Sequence, residues 1–404
     1  MVAPHLSGRS SLPESCPRKR SDGPLRYAII TNDFRADRGA EIVVQRQARE
    51  LERRGVQVYL AGVGADGPLP RHLGLAAERI ARFERGGVGA VIGLARWLRG
   101  SRCEVVHSHL DRANTLAIPA AWLAGVRTIL STQHTIWPVR RRRRLWLNRI
   151  LARFASRVVV VSAAMGEWLV AEEGIPASKI LHVPNPVSVQ DDLRTPTLAR
   201  AQLDLPPRVP IISSVGALVP EKDPFLLLRA FARVRKALPR ALLVVAGDGP
   251  LRASLESVSQ RRFPAGSVRW LGHLADPSTV LRAADLFVLS SKREGLPLVL
   301  LESAVQGAPR IATAVGGVRD TIRDGETGLL VAPGDCEALA GAMLELLRNP
   351  DRAREIALAA RDEVSRKHDV RHSVDTILRL LRDDAGAAIE HRWKARRTIE
   401  ALLR

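Results

Sequence analysis

The sequence predicts an α/β fold built from two doubly wound Rossmann-like domains that face a cleft. Its 404 residues exceed the roughly 250 to 300 at which one hydrophobic core stops growing. From Arg26 onward, short apolar strands alternate with amphipathic helices, as in a parallel sheet covered by helices. A polar stretch with several prolines at 187–208 interrupts this alternation, which then restarts.

The first half of the alternation contains short apolar runs separated by helical patterns. Each run has the length and residue types of a buried parallel strand. Predicted strands are 27–31, 56–61, 105–107, 128–131 and 157–162, with helices at 40–54, 89–99 and 114–123.

The second half repeats the pattern with six predicted strands: 211–215, 242–246, 268–271, 286–289, 310–312 and 328–331. Two doubly wound halves place a ligand cleft at the carboxyl ends of their strands. We therefore expect a flexible tail at 1–25, a first Rossmann-like domain at 26–186, a linker at 187–208, a second Rossmann-like domain at 209–365, and C-terminal helices at 366–404 that pack back toward the first domain.

The composition is that of a folded globular protein rather than a disordered one, with 46% hydrophobic and 26% charged residues. The first 25 residues lack the apolar block of a secretion signal, which predicts a cytoplasmic protein. Cys16, Cys103 and Cys336 are too widely separated for a metal spacing or a disulfide framework, so we expect reduced thiols.

A net charge of +20 points to a polyanionic partner: nucleic acid, an anionic membrane surface or a phosphorylated substrate. An arginine-rich coding bias is the alternative. Residues 137–154 combine Arg140–Arg144 with Trp137, Trp146 and apolar positions, the profile of a basic amphipathic helix in a membrane interface. A solvated charged face and a nucleic-acid contact are the other interpretations, although only 4% of residues are aromatic and available for base stacking.

The segment from Ser291 to Glu302 carries the most specific chemistry. Glu294 falls in the turn after a predicted strand, and Glu302 lies inside the helix that follows. Backbone N–H groups at the start of that helix, over 295–299, favour a bound phosphate. A carboxylate such as Glu302 can accept two hydrogen bonds from the vicinal diol of a ribose. An ordinary helix start with solvated glutamates is the structural alternative.

Two glutamates separated by seven residues, with Gly295 and Pro297 between them, resemble the E-x7-E signature of retaining glycosyltransferases of the GT-B fold. The resemblance is to glycosyltransferase family 4, the glycosyl transferases group 1, and it extends over about residues 26–350. It implies a nucleotide-sugar donor in the second domain and an acceptor against the first. The sequence contains no Asp-x-Asp pair, Walker A or H-E-x-x-H motif, so we expect neither a metal nor another cofactor.

The first half matches the family at several positions. Gly39 lies in a segment that resembles the family's Gly-Gly-x-Glu loop, where Arg38 replaces the first glycine and adds a charge on the acceptor side. His109 and His134 match histidines beside the donor sugar, and Asn185 matches a Pro-Asn element near the hinge. Taken alone, the histidines also suit a structural role and the asparagine suits a turn.

The second half contains a segment that resembles the family's Gly-Arg-Leu loop with a downstream lysine. Gly216 and Lys222 are present, whereas Ala217 stands where the family usually has arginine. Stabilisation of the departing diphosphate would then rest on Lys222, the helix amides and either Lys292 or Arg293. Leu274 matches a loop near the nucleotide base.

The resemblance implies a full set of site residues. They are the catalytic candidates Glu294, His109 and Lys222; the donor-binding candidates Glu302, Gly295, Leu296, Pro297, Val299, Gly39, Gly216 and Leu274; and the acceptor or sugar-site candidates Arg38, His134 and Asn185. The predicted activity is retaining transfer of a hexose or N-acetylhexosamine from a UDP-sugar, or else a GDP-sugar, to a glycan or lipid-linked acceptor. A nucleotide-sugar epimerase and a nucleic-acid-binding protein are the alternatives.

Overall fold

A computed structural model describes residues 23–34, 39–64, 70, 73–83, 86–134, 142–189 and 195–383. Several predictions therefore lie outside the described residues. These concern the tail before residue 23, Arg38, the segment 137–141, part of the linker at 190–194 and the chain after 383.

The first domain contains a seven-stranded, fully parallel sheet. Its order is β3-β2-β1-β4-β5-β6-β7, the doubly wound arrangement that the sequence predicts. The strands are β1 (Arg26–Thr31), β2 (Gln57–Val63), β3 (Ile80–Phe83), β4 (Val105–His109), β5 (Thr128–Gln133), β6 (Arg157–Val160) and β7 (Ile180–His182). The sequence prediction lacked β3 and β7, the two edge strands.

Helices cover both faces of this sheet. They are α1 (Gly39–Arg53), α2 (Gly87–Gly100), α3 (Asp111–Ala124), α4 (Arg142–Phe154) and α5 (Ala163–Ala171). One apolar cluster joins Val106 of the sheet to α2 and α3, and another joins Ile29 and Leu130 to α1.

The second domain contains a six-stranded parallel sheet of order β10-β9-β8-β11-β12-β13, so the two-domain fold class is confirmed. Its strands are β8 (Ile211–Val215), β9 (Leu242–Ala246), β10 (Val268–Gly272), β11 (Leu286–Leu289), β12 (Arg310–Thr313) and β13 (Leu329–Val331). The helices are α6 (Pro196–Gln202), α7 (Pro224–Ala237), α8 (Arg252–Arg262), α9 (Ser278–Ala283), α10 (Leu298–Val305), α11 (Cys336–Arg348), α12 (Pro350–Lys367) and α13 (Val370–Asp383). No helix among the described residues is both long and apolar enough to cross a membrane.

The stretch 187–208, which its composition predicts to be a linker, contains α6. The Thr195 side chain caps this helix by accepting a hydrogen bond from the backbone of Leu198, with Pro196 at the first helical position. Ala199 and Leu205 are buried against β9 in the second domain. The polar, proline-containing stretch thus includes a short capped helix that packs on the second domain.

The chain crosses between the domains twice, at one place. The backbone N–H of Val187 donates to the carbonyl of His368 at 2.8 Å, and Val187 forms a parallel bridge with Asp369. Beyond this crossing, α13 lies on α1 of the first domain, where Gln47 donates to Ser373 at 3.2 Å. The last described helix thus completes the core of the first domain.

This packing gives a stability prediction. Ile377 of α13 is fully buried with the β1 and α1 side chains, so Ile377→Ala should lower the free energy of unfolding by about 2–5 kcal/mol. Leu358→Ala on α12, where the leucine is 58% exposed, is the matched control and should cost well under half of that. Urea unfolding measures both, and equal losses would contradict the packing of α13 on the first domain.

Candidate active site

The strand order of each sheet reverses at one point, and the candidate residues follow the strands that flank it. In the first sheet the reversal lies between β1 and β4, and His109 is the last residue of β4. In the second it lies between β8 and β11, which lead into the loops 216–222 and 290–294. Such reversal points form the ligand crevices of doubly wound sheets.

Glu294 and Lys222 meet at the second-domain reversal point. Lys222 Nζ lies 2.5 Å from Glu294 Oε1, and Ser291 Oγ donates to the same oxygen at 2.6 Å. Ser290 Oγ donates to the carbonyls of Lys222 and Asp223, both at 3.0 Å, which fixes the two loops to each other. The sequence predicted both charged residues, and the structure joins them in one ion pair.

A recess adjoins this ion pair at the carboxyl ends of β8 and its neighbours. Its empty volume is about 420 Å³, including the open mouth. The lining includes Gly216, Ala217, Lys222, Trp270 and Ser290. Ala217 leaves no positive charge at its position, so Lys222 is the charged residue of this lining.

Glycines hold the loop before α10 against its neighbours at backbone distance. A Cβ atom on Gly295 would lie 2.1 Å from the carbonyl oxygen of His134 in the first domain. A Cβ on Gly316, whose φ is +47°, would lie 2.0 Å from the carbonyl oxygen of Glu294. Any side chain at either position would push the loop away, so the position of Glu294 depends on both glycines.

The remaining residues at the start of α10 serve the contact between the domains. Leu296 and Leu298 are buried in an apolar cluster that also contains Val43 of α1 and Met165 of α5. Asn185 Nδ2 donates to the carbonyl of Leu296 at 2.9 Å. Pro297 is also buried, whereas Val299 is half-buried. Gly39 faces this cluster, because its Cβ would lie 3.5 Å from Leu298.

Glu302 lies further along α10 and is ion-paired across the cleft. Arg46 of α1 donates from Nη2 to Glu302 Oε1 at 2.8 Å and from Nη1 to the carbonyl of Pro186 at 3.1 Å. Both side chains are only 17% exposed. The pairing of Glu302 with the first domain was not predicted.

Three histidines stack at the carboxyl ends of β4 and β5. His109 Nδ1 lies 3.0 Å from His134 Nε2, and the rings of His107 and His109 are 4.2 Å apart. His107 hydrogen-bonds Tyr27 at 2.7 Å and Thr132 at 2.6 Å, so both of its nitrogens are satisfied. His109 Nε2 is buried without a hydrogen-bond partner among the described residues, so the hydrogen-bonding capacity of this imidazole nitrogen is unused.

Burial keeps this histidine cluster neutral. Desolvation, with a smaller contribution from His134, lowers the pKa of His107 to about 3, and desolvation lowers the pKa of His134 to about 4. Desolvation and the two neighbouring rings also hold the pKa of His109 well below its ordinary value. A neutral His109 presents a single donor or acceptor at Nε2 rather than a positive charge.

The other predicted cations lie at the rim of the crevice beside carboxylates. Lys292 Nζ is 3.5 Å from Asp223, and Arg293 is 3.4 Å from Glu221, with both basic side chains half or more exposed. Leu274, the predicted base-contacting residue, follows β10 and packs in a cluster that includes Val215. Within the described ranges, no group of three or more His, Cys, Asp or Glu residues could hold a metal ion.

Several residues of the site were missed by the sequence analysis. Arg46 reaches Glu302, Tyr27 bonds His107, and Asp320 accepts a hydrogen bond at 2.7 Å from the backbone of Ala163 at the start of α5. Each is a residue type that is common in its element, and only the fold brings it to its partner.

The two facing Rossmann-like domains and the crevice between them define the GT-B class of glycosyltransferases. The family model described as Glycosyltransferase Family 4 matches residues 38–191, and the model described as Glycosyl transferases group 1 matches residues 197–363. These matches leave little of the described chain uncovered, and the chain belongs to glycosyltransferase family 4.

Individual relatives resemble this chain in sequence, and one solved structure resembles it in fold. The chain is 38% identical to the lipopolysaccharide core biosynthesis glycosyltransferase LpsE of Rhizobium meliloti over 38% of this chain and 44% of LpsE. It is 29% identical to the phosphatidyl-myo-inositol mannosyltransferase of Mycobacterium leprae over 84% of this chain and 92% of that protein. The crystal structure of Anabaena HepE with UDP and glucose superposes with a TM-score of 0.79 at 20% identity, covering 89% of this chain and all of HepE.

The neutral histidine cluster gives a pH prediction. Because the pKa of His107 is lowered in the folded state, only the unfolded state gains a proton at this histidine as the pH falls through about 6.5. The contribution of the neutral histidine to the free energy of unfolding is therefore complete at neutral pH and decreases toward pH 5. His107→Gln should make the fall in unfolding free energy shallower by up to about 1.4 kcal/mol per pH unit below pH ~6.

Urea unfolding at several pH values between about 7.5 and 4.5 measures this slope. His182→Gln, which removes an exposed histidine from β7, is the control. If both variants changed the slope equally, or neither did, the buried neutral state of His107 would be wrong.

Proposed function

We propose that the protein is a retaining glycosyltransferase that moves a hexose or N-acetylhexosamine from a nucleotide-diphosphate sugar to a glycan or lipid-linked acceptor. The observation that carries the proposal is the junction at Gly295. There the loop that carries Glu294, which is ion-paired with Lys222, meets the backbone of His134, whose ring hydrogen-bonds His109 of the first domain. A carboxylate, an ammonium and an imidazole with one unpartnered nitrogen thus belong to segments that meet at this junction.

The donor would be held mainly by the second domain. Glu302 would accept hydrogen bonds from the ribose diol, and Glu294 would contact hydroxyl groups of the sugar. Lys222 has three N–H donors, so it can stay on Glu294 and still reach a phosphate oxygen. Backbone N–H groups at the start of α10 would add the favourable end of the helix dipole to the diphosphate.

The reaction itself exchanges one bond at the anomeric carbon. The acceptor hydroxyl oxygen forms a bond to that carbon, the bond from the carbon to the diphosphate oxygen breaks, and the hydroxyl proton passes to the diphosphate. Retention follows when attack and departure occur on the same face of the sugar. Lys222 and the helix amides would stabilise the leaving diphosphate without a metal ion, and His109 Nε2 would hydrogen-bond the sugar.

The comparisons favour particular substrates. HepE is described in complex with UDP and glucose, and LpsE is a lipopolysaccharide core enzyme. A UDP-sugar donor is therefore favoured over a GDP-sugar, and an acceptor in cell-envelope or exopolysaccharide assembly is favoured over a soluble one. A nucleotide-sugar epimerase is the second candidate on this fold, and product analysis separates them because epimerisation requires no acceptor.

Glu302→Gln tests the donor site. The substitution removes charge-assisted hydrogen bonds to the ribose, so the Kd for UDP should rise about 10- to 100-fold in calorimetry, and transfer from UDP-sugars should fall accordingly. Glu355→Gln on the exposed face of α12 is the control and should change neither. Unchanged UDP and GDP binding in Glu302→Gln, together with no transfer by the unmodified protein from any UDP- or GDP-sugar, would contradict the proposal.

A peripheral contact with the inner, cytoplasmic face of an anionic membrane belongs to the same proposal. Trp146 of α4 is 66% exposed, and Arg143 and Arg153 on that helix are also exposed. The neighbouring α3, which packs against α4, exposes Leu123. Exposed apolar and basic side chains together match the chemistry of an anionic lipid interface.

Vesicle co-sedimentation tests this contact. Arg143→Gln with Trp146→Ala should reduce binding to phosphatidylglycerol-containing vesicles about 10-fold or more, since each basic residue near the surface contributes about 1 kcal/mol. Arg229→Gln with Leu358→Ala makes matched changes on exposed positions of the second domain and should leave binding intact. Indifference to anionic lipid content would exclude the membrane contact.

A further inference from the structure

Arg46 is the residue through which the first domain reaches the donor side of the crevice. It lies in the middle of α1, yet its guanidinium bonds to Glu302 of the second domain and to the carbonyl of Pro186 where the chain crosses between the domains. One side chain of α1 therefore bonds both the crossing segment and α10.

The geometry leaves half of the Glu302 carboxylate available. Arg46 is the partner found for this carboxylate within the described residues, and it bonds Oε1 at 2.8 Å. The guanidinium is planar, has donors only and remains charged at all relevant pH values. With Oε1 fixed in this way, the orientation of Oε2 is fixed as well.

The ion pair between Arg46 and Glu302 is partly buried, and its geometry is restricted. Both side chains are 17% exposed, so solvent screens the pair less than it screens a surface ion pair. The second hydrogen bond of the fork, to Pro186 at 3.1 Å, restricts the rotation of the guanidinium about its own axis. Arg46 can therefore hold Glu302 only while α1, the crossing segment and α10 keep this arrangement.

We propose that Arg46 is a positioning residue of the donor site: it orients Glu302 so that the carboxylate receives the ribose diol, and it links ribose binding to the contact between the domains. This inference rests on the proposed role of Glu302 in ribose binding. Arg46 acts through Glu302 and contacts no substrate atom itself.

The opposite arrangement, in which Arg46 competes with the ribose for Glu302, makes an opposite prediction. Removal of a competing side chain would tighten nucleotide binding, whereas removal of a positioning side chain weakens it. The sign of the change in UDP affinity therefore decides between them.

Calorimetry with UDP and with 2′-deoxy-UDP tests the proposal on the full chain. Arg46→Gln should weaken UDP binding about 10-fold and, like Glu302→Gln, reduce the preference for UDP over its 2′-deoxy analogue. Arg46→Lys keeps the charge but loses the fork, so it should recover part of the loss. Arg53→Gln changes the same charge at a 79% exposed position of the same helix and should have no effect.

The double variant provides the sharpest readout. If Arg46 acts through Glu302, Arg46→Gln/Glu302→Gln should bind UDP no more weakly than Glu302→Gln alone. A purely structural role would instead weaken both nucleotides equally and add to the effect of Glu302→Gln.

Two failures can be told apart. If Glu302→Gln weakens UDP binding while Arg46→Gln leaves it unchanged or tightens it, the positioning role is wrong and the ribose site stands. If Glu302→Gln itself leaves UDP binding unchanged, the ribose assignment is wrong and the inference falls with it. Thermal melting of each variant shows whether it is folded, and Arg46→Lys carries the test if Arg46→Gln is not.

Discussion

The approach of Gly295 to the carbonyl of His134 sets the geometry on which the rest of the site depends. A single added methyl group at residue 295 would lie 2.1 Å from that oxygen, so the two domains meet here through backbone alone. Behind Gly295, the N–H of Gly317 donates to its carbonyl at 2.8 Å, and Gly317 too would clash with that carbonyl if it carried a side chain. Three backbone segments are thus stacked, and the carboxylate of Glu294 projects from the middle one.

The charged groups of the site are already paired with one another. Glu294 is held by Lys222 and Ser291, and Glu302 is held by Arg46, so neither carboxylate is a buried, uncompensated charge. The histidine cluster contains no uncompensated buried charge for a different reason: burial keeps its imidazoles neutral, so they need no ion-pair partner. The first domain therefore contributes a buried, neutral histidine cluster and the paired guanidinium of Arg46, whereas the second contributes the paired charges of Glu294, Lys222 and Glu302.

Much of the fold was predictable because buried parallel strands are nearly continuous apolar runs. The strands that were missed lack this feature: β3 is only half-buried, and β7 has three residues at the edge of its sheet. The helix α6 was hidden by a polar, proline-containing sequence whose proline is at the helix start, where it favours the helix. The average composition of a segment does not reveal such positions, whereas the capping of a helix depends on a single residue.

The site was predictable one domain at a time, but not across the cleft. Glu294, Lys222 and His109 each follow a strand end that the alternation itself locates, so their placement near the crevice follows from topology. Arg46 has no such marker, because α1 carries other arginines at positions 49 and 53 with the same local sequence character. Only the docking of α10 against α1 distinguishes it, and no local pattern encodes the contact between two domains.

Ala217 limits the positive charge that the second domain can offer to a diphosphate. With no arginine at that position, the cations near the recess are Lys222, Lys292 and Arg293, and each lies beside a carboxylate. An incoming diphosphate would therefore compete with carboxylates for these cations. Its binding free energy is reduced by the interaction energy that the ion pairs lose. Backbone N–H groups at the start of α10 suffer no such competition, because their alignment is fixed by the helix. Without the arginine, less of the stabilisation of the diphosphate can come from side-chain charge. More of it must come from the backbone of the segment that Gly295 holds in place.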